Sequence, residues 1–192
     1  MKTLATLVLL LSMAAPATAA VVWNEAVNGD LSTNPAAPTP IVFALGDNTI
    51  TGTVKNSTLP NPTGDRDFIT FQIPNGSKLV ALNLLSFAPV NTCFSAFNAG
   101  VTSFVPSEST DPFFLAGIHI EFSYVGTNLL PIFSTLYVTS NGLPAPELGP
   151  GNYCFVIQQT SNLTTSYSLS FVLDASVPAD RDTWGAIKAL YR

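Results

Sequence analysis

The chain has 192 residues, of which 47% are hydrophobic and only 10% are charged, and its formal net charge is −5. Because an average soluble domain is about 25% charged, this surface must depend on hydroxyl and amide side chains. The balance argues against nucleic-acid binding, since phosphate recognition needs clustered lysine and arginine and the seven basic residues here are scattered.

The first twenty residues have the pattern of a secretory signal peptide. Lys2 precedes an apolar run over residues 4–13, and small residues follow up to Ala19. A run of about ten apolar residues is too short for the roughly 20 that span a bilayer. We therefore expect residues 1–20 to form a helical leader that is cleaved on secretion, leaving a mature chain without a transmembrane segment.

From Val21 to Ala175 apolar and polar residues alternate, with breaks at proline, glycine, asparagine or aspartate about every eight to twelve residues. This pattern predicts an all-β domain over residues 21–175. With no helix between the strands, we expect an antiparallel jelly-roll β-sandwich of about 8–10 strands. The nine predicted strands are 40–46, 48–54, 68–74, 78–87, 93–100, 115–125, 132–139, 152–160 and 166–174.

Two of these strands indicate their place in the sandwich. Strand 166–174 puts Tyr167, Leu169, Phe171 and Leu173 on one face and serines on the other, so one face packs on the core. Strand 152–160 is apolar on both faces, which is typical of a central strand.

The two cysteines, Cys93 and Cys154, both lie in predicted strands. Because a secreted protein folds in an oxidising compartment, we expect them to form a disulfide and their strands to lie close together. The alternative is a pair of buried, unpaired thiols. Neither cysteine is in a Cys-x-x-Cys arrangement, so zinc or redox chemistry is not indicated.

Residues 64–76, GDRDFITFQIPNG, carry the best metal candidates. In an extended segment Asp65 and Asp67 project to the same side, which suits an oxygen-preferring ion such as Ca²⁺. Since Ca²⁺ takes about six to eight oxygens, further ligands are needed, and Glu25, Asp30 or loop carbonyls are the candidates.

The same two aspartates also have an alternative interpretation, in which their role is purely structural and no metal binds. Asp65 would close the turn that follows residues 62–64, while Asp67 would pair with Arg66 or with a neighbouring strand.

Catalysis has little support in the sequence. The one histidine, His119, lies in a predicted strand on the same face as Glu121, and a hydrolase site built from them is the least favoured function. There is no Gly-x-Ser-x-Gly elbow, glycine-rich phosphate loop or dinucleotide fingerprint. We therefore expect no enzymatic activity and no cofactor other than the Ca²⁺ considered above.

Three stretches resemble the bacterial pre-peptidase C-terminal domain. In this chain, NTITGTV followed by GDRDFITFQIPNGSKL is similar to the opening of that domain. Residues 148–173 are similar to its closing hairpin, which has a Gly-x-Tyr strand and a Tyr-x-Leu-x-Phe strand. Residues 23–48 are similar to the lead-in of a variant from secreted bacterial proteins, often with C-terminal sorting tails. The opening matches at Gly52, Asp65, Asp67, Phe68, Phe71 and Gly76.

The resemblance, which covers most of residues 23–173, implies a non-catalytic jelly roll. Relatives of this type accompany secreted proteases as substrate-binding or targeting modules, and collagen-binding members carry Ca²⁺ near the lead-in. If the calcium site of those members is transferred to this sequence, the resemblance implies that its ligands are Glu25, Asp30, Asp65 and Asp67. The long insertion at 56–63 and the lack of an accompanying peptidase mean that collagen binding is not implied.

The composition changes in the tail, residues 176–192. Asp182 can cap a short helix there, and its Val-Pro start resembles sorting tails of the Pro-Glu-Pro type without their membrane segment. We expect either a peptide that a sorting system reads or a helix that docks on the domain. The apolar side of the helix would consist of Trp184, Ile187, Leu190 and Tyr191.

These features predict a secreted, periplasmic or cell-surface β-sandwich that binds an extracellular polysaccharide or protein. A second hypothesis is a structural subunit of a surface layer or matrix, because charge is low and Thr, Ser and Asn are abundant.

Overall fold

A computed structural model of the chain describes residues 19–56, 64–107, 113–135 and 146–175. The leader up to residue 18 and the tail from residue 176 lie outside these ranges. None of the described helices is long and apolar enough to cross a membrane. The strands are β1 (Ala20–Asn24), β2 (Thr39–Pro40), β3 (Gly46–Lys55), β4 (Arg66–Ile73), β5 (Ser77–Ala88), β6 (Thr92–Ala99), β7 (Ala116–Glu121), β8 (Gly151–Gln159) and β9 (Thr164–Ala175), and the α-helices are α1 (Glu25–Asn28) and α2 (Leu130–Thr135).

The strands form two sheets, in keeping with the predicted all-β sandwich. One sheet has the order β1-β3-β9-β5 and the other has the order β2-β4-β8-β6-β7. The expectation of purely antiparallel sheets is wrong, because β1 runs parallel to β3 and β2 runs parallel to β4. A parallel pair needs a long crossover rather than a hairpin, and between β1 and β3 the chain crosses to the other sheet to form β2.

Most predicted strands are present, with shifts at their ends. Strand 115–125 is shorter than predicted, because pairing stops at Glu121 and a 3₁₀ turn follows at Phe122–Tyr124. Strand 40–46 is paired only at its ends, at Pro40 in β2 and at Gly46, which begins β3. Beyond β2, Ile41 and Phe43 are buried without forming a ladder, and their alternation is the pattern that suggested a strand.

The strand predicted at 132–139 is wrong over its described part, where α2 forms instead. Leu129, Leu130 and Phe133 are fully buried at helical rather than alternating spacing. The Oδ1 atom of Asn128 accepts a hydrogen bond from the Leu130 N–H at 3.1 Å and so caps the helix start. Residues 136–139 lie outside the described part of the chain.

The expected disulfide between Cys93 and Cys154 is also wrong, since both are free and buried. Their strands are adjacent, but Cys93 lies opposite Gln159, five residues along β8 from Cys154. That separation is about 16 Å at roughly 3.3 Å per residue, against the limit of about 7 Å between Cα atoms in a disulfide. Cys93 also belongs to the core between the sheets, whereas Cys154 alternates with the core residue Phe155 and lies on the opposite face of β8.

The core between the sheets is built from the inward residues of both. Strand β9 contributes its alternate residues from Tyr167 to Leu173, as predicted. Phe71 packs against Phe43 and Phe171, with ring centroids 4.9 and 5.6 Å apart. Strand β8 lies in the middle of its sheet, as predicted. The face of β8 that points away from the core is also buried, in a second apolar cluster. This outer cluster consists of Phe68, Phe94, Ala96, Phe114 and Val156.

Candidate functional site

The lead-in segment, residues 24–32, crosses from the edge of one sheet to the edge of the other. Asn24 begins α1 by accepting a hydrogen bond from the Ala26 N–H on its side chain, at 3.0 Å. Gly29 ends the helix with φ +87°, a conformation that favours glycine. Ser32 then bridges to Phe68 of β4, so this short segment contacts both sheets.

Glu25 ties this lead-in to β3. The ladder between β1 and β3 ends at Asn24 and Thr51. Just beyond it, the Oε2 atom of Glu25 accepts hydrogen bonds from the Thr53 N–H at 2.7 Å and from its hydroxyl at 3.2 Å. The Oε1 atom accepts from the Leu31 N–H at 3.3 Å. Burial raises the pKa of Glu25, and these hydrogen bonds offset part of the rise.

Asp67 is enclosed between the two sheets, with 1% of its surface exposed. The hydroxyl of Tyr167, in β9 of the opposite sheet, donates a hydrogen bond to Asp67 Oδ2 at 2.6 Å. Asp67 Oδ1 is buried and has no hydrogen-bond partner among the described residues. Burial, followed by the nearby charge of Glu25, raises the pKa of Asp67 well above its usual value, and burial likewise raises that of Tyr167.

Gly52 makes room for this hydrogen bond. It lies directly opposite Tyr167 in the register between β3 and β9. A Cβ atom at Gly52 would lie 2.7 Å from the Tyr167 hydroxyl oxygen and 3.0 Å from Asp67 Oδ2. Glycine is therefore required at this position by close packing rather than by its backbone angles.

The four acids predicted as metal ligands lie in one region. Glu25, Asp30 and Asp67 each place a carboxylate oxygen within 4.8 Å of the others. Asp65 lies beside this trio, and burial, followed by the charges of Asp30 and Glu25, raises its pKa to about 6. Its Oδ1 atom is also buried without a partner among the described residues. We call these four residues the carboxylate cluster.

The structural interpretation of the two aspartates is right only in part. The backbone carbonyl of Asp65 accepts a hydrogen bond from the Lys55 N–H at 3.0 Å, which joins the two ends of the 56–64 segment. Asp67 pairs across the sandwich with Tyr167 instead of with Arg66, whose Nε atom donates to Gln158.

The carboxylate cluster suits a hard cation. Its donors are all carboxylate oxygens, the ligand type that Ca²⁺ prefers. Within the described ranges, the ion pair closer than 4 Å joins Lys78 to Glu147 and involves none of the four acids. Like charges crowded together are costly, and the charge of Lys55 only partly offsets the raised pKa of Asp65, so either protons or a bound cation must relieve the repulsion.

A cleft of about 620 Å³ lies next to the carboxylate cluster and shares Glu25, Asp30 and Asp65 with it. Tyr167 also lines the cleft, and the other polar lining residues carry hydroxyl groups or an amide: Asn24, Thr51, Thr53, Ser86 and Ser166. Sequence reasoning missed these residues. The alternating threonines at 49–53 and serines at 166–170 predict two polar strand faces, but not that the lead-in lies beside them.

His119 is remote from this site in the fold. It is exposed on the edge strand β7, and its ring packs edge-on against Phe94 with centroids 5.7 Å apart. The side chain of Glu121, on the same strand, accepts a hydrogen bond from the Ser123 hydroxyl at 3.5 Å. Neither residue contributes to the described lining of the cleft.

No protein-family model matches the chain, and no curated protein matches it. A solved structure to which it is similar is PliG of Salmonella Typhimurium, a periplasmic inhibitor of g-type lysozyme. The identity is 14% and the TM-score is 0.34, over 71% of this chain and 98% of that one. A similarity of this size carries no weight for the function of this chain.

Proposed function

We propose that the protein is a secreted, non-catalytic binding module that holds Ca²⁺ in the carboxylate cluster. The observation that carries the proposal is the convergence of Glu25, Asp30 and Asp67 within 4.8 Å, together with the buried and unpartnered Oδ1 of Asp67. A buried polar atom without a partner is unfavourable, and a cation would satisfy it and neutralise its neighbours.

The proposed ion has a structural role. Glu25 and Asp30 belong to the lead-in, whereas Asp65 and Asp67 belong to the start of β4 and the segment just before it. An ion held by both pairs would fasten the lead-in to the second sheet, and it would supply charge neutralisation rather than reaction chemistry.

We also propose a jelly-roll topology and membership of the pre-peptidase C-terminal type. The strand order supports the topology, because β3, β4, β5 and β6 alternate between the two sheets. The contact among Gly52, Asp67 and Tyr167 supports the resemblance, since these residues come from the three strands whose sequences are similar to that family. The leader-like N-terminus supports a periplasmic or extracellular location.

Thermal unfolding with Ca²⁺ and with a chelator tests the proposal. Ca²⁺ at a hundred-fold excess over its Kd would stabilise the fold by about 2.7 kcal/mol. For a chain of this size we expect the Tm to rise by roughly 5–10 °C.

Variants of single acids show which residues are needed for the Ca²⁺-dependent rise in Tm. Asp30→Asn and Asp67→Asn should each remove most of the Ca²⁺-dependent rise. Glu147→Gln, which neutralises an exposed acid paired with Lys78, should keep all of it. An unchanged wild-type Tm in Ca²⁺ and in chelator would refute the calcium site.

A further inference from the structure

The outer face of the five-stranded sheet carries one row of side chains that crosses four strands. Arg66 of β4 lies opposite Gln158 of β8. Phe94 of β6 lies opposite Gln158 on one side and opposite His119 of β7 on the other. Because successive residues of a strand project to opposite faces, Arg66 points away from the core, on the side of β4 opposite to the enclosed Asp67. The row is therefore separate from the carboxylate cluster.

Arg66 and Gln158, which we call the donor pair, present N–H groups to solvent. Arg66 Nε donates a hydrogen bond to Gln158 Oε1, and this fixes the orientation of the amide, because a guanidinium cannot accept. The Nη groups of Arg66 and the Nε2 of Gln158 have no acceptor among the described residues, and none of these atoms is enclosed. The free groups of the donor pair are thus N–H donors beside a positive charge, and an anion matches them.

The charge of Arg66 has no acidic partner close by. Arg66 is half-buried, and burial lowers the pKa of its guanidinium. In the ranges that the structure describes, no carboxylate oxygen lies within 4 Å of its nitrogens. Glu121, an acid of the same outer face, lies on the edge strand β7, three strand spacings or about 14 Å away. A carboxylate from outside the chain would therefore meet an uncompensated positive charge.

A connected set of phenylalanines lies beside the donor pair. The rings of Phe94, Phe114, Phe104 and Phe113 contact one another in that order, with centroids 5.5–6.2 Å apart. We call these four residues the aromatic group. Phe104 is 41% exposed and Phe113 is 64% exposed. A single exposed apolar side chain is ordinary, but here two exposed rings touch each other and extend the buried outer cluster to the surface.

The combination of arginine and aromatic side chains indicates the kind of partner. Relative to the rest of a protein surface, protein–protein interfaces are enriched in aromatic residues and arginine and depleted in lysine. The strands β4, β8, β6 and β7 contain no lysine. Arg66 and Phe94 are two strand spacings or about 10 Å apart, so both fit within the roughly 800 Å² that one partner buries in a standard interface.

We propose that this face docks a protein partner that presents an Asp or Glu side chain to the donor pair and apolar side chains to the aromatic group. The inference rests on the proposed binding role of the module, and it is independent of the Ca²⁺ site.

Selection from a displayed library of random nonapeptides tests the inference, with the purified full chain as bait in the presence of chelator. We expect the selected peptides to combine Asp or Glu with neighbouring apolar residues. Because chelator is present throughout, a failure of the Ca²⁺ site leaves the result unaffected, and a failure of the docking face leaves the Ca²⁺ site untouched.

A double-mutant cycle on a selected peptide tests the contact with the donor pair. Arg66→Gln should weaken binding about tenfold, the value of one charge-assisted hydrogen bond. Replacing the acid of the peptide by its amide should weaken binding to the wild type about tenfold and leave binding to Arg66→Gln unchanged.

Variants of the aromatic group supply a second test that does not require the Arg66 variant to fold. Phe113→Ser alters an exposed side chain and should weaken binding roughly fivefold or more. Phe122→Ser is the matched control, because Phe122 is 48% exposed and lies in the 3₁₀ turn after β7. Lys78→Gln, which removes an exposed cation from the other sheet, should also leave binding unchanged.

Three results would overturn the inference. The library yields no peptide, or yields peptides without an acid. A selected peptide binds Arg66→Gln and Phe113→Ser as tightly as it binds the wild type. A glucuronate trisaccharide binds in an Arg66-dependent way while no peptide is selected, which would assign the face to an acidic polysaccharide instead.

Discussion

Asp67, Tyr167 and Gly52 form one unit at the residue scale, although they come from three strands of two sheets. The Tyr167 hydroxyl can reach Asp67 only because residue 52 has no Cβ atom. The identity of each of the three residues is therefore explained by the other two.

Gly52→Ala tests this unit. The added Cβ would lie 2.9 Å from Cζ of Tyr167 and closer still to its hydroxyl oxygen, so the ring must move and its hydrogen bond to Asp67 must weaken. Overpacking of this kind costs about 1–3 kcal/mol. We expect that loss in the free energy of unfolding, measured by urea denaturation.

Gly149→Ala is the matched control, because a Cβ there meets nothing within 4 Å. Equal stability of the two alanine variants would contradict the close packing at Gly52.

The raised pKa values of the buried acids predict an unusual pH dependence for the metal-free protein. Asp65 titrates near pH 6 in the folded state, against an ordinary value of 3.8, and Asp67 titrates well above that ordinary value. Between about pH 4 and pH 6 the folded state thus binds more protons than the unfolded state, and stability falls as pH rises. Most aspartates have the opposite effect, because their folded-state pKa is lowered.

Urea denaturation of metal-stripped protein from about pH 4 to pH 7 checks this sign. Asp67→Asn, which has no proton to lose, should flatten the fall, and Glu147→Gln should leave it unchanged. A wild-type protein that gains stability steadily over this range would show that the acids are not held in their protonated forms.

At the element scale, the register of β6 against β8 determines the state of the cysteines. The sequence correctly predicted that the strands of the two cysteines lie close together. Alternation alone does not give their register, and the observed register places Cys93 about 16 Å from Cys154.

Alkylation of the purified protein tests this register. Unfolded without reductant and treated with iodoacetamide, each chain should gain two carbamidomethyl groups, since both thiols are free. Intact mass spectrometry measures the gain, and the same sample treated first with reductant is the control. Labelling that requires the reductant would contradict the register.

The limits of sequence reasoning differ from one element to another. Alternation predicted the six strands that pair over most of their length, because each has one face on the core. It failed at α2, where Leu129, Leu130 and Phe133 follow a helical period in a segment too short to distinguish the two patterns. It also missed β1, whose position depends on a parallel partner far along the chain.

At the scale of the whole molecule, the site joins segments that are distant in sequence. The acids could be predicted, because Asp65 and Asp67 have a distinctive spacing and the resemblance pointed to Glu25 and Asp30. The cleft could not be predicted. Its hydroxyl side comes from β3, β5 and β9, and these strands lie beside the lead-in because β1 pairs with β3 in the same sheet, a parallel pairing that alternation does not reveal.

Calorimetric titration of Ca²⁺ into metal-stripped protein tests the central claim most directly. We predict one bound ion per chain in the wild type and in Glu147→Gln, and a loss of measurable binding in Asp30→Asn, where the fold keeps Glu25 and Asp67 in place. Absence of binding to the wild type, or equal binding to Asp30→Asn, would contradict a calcium site in the carboxylate cluster.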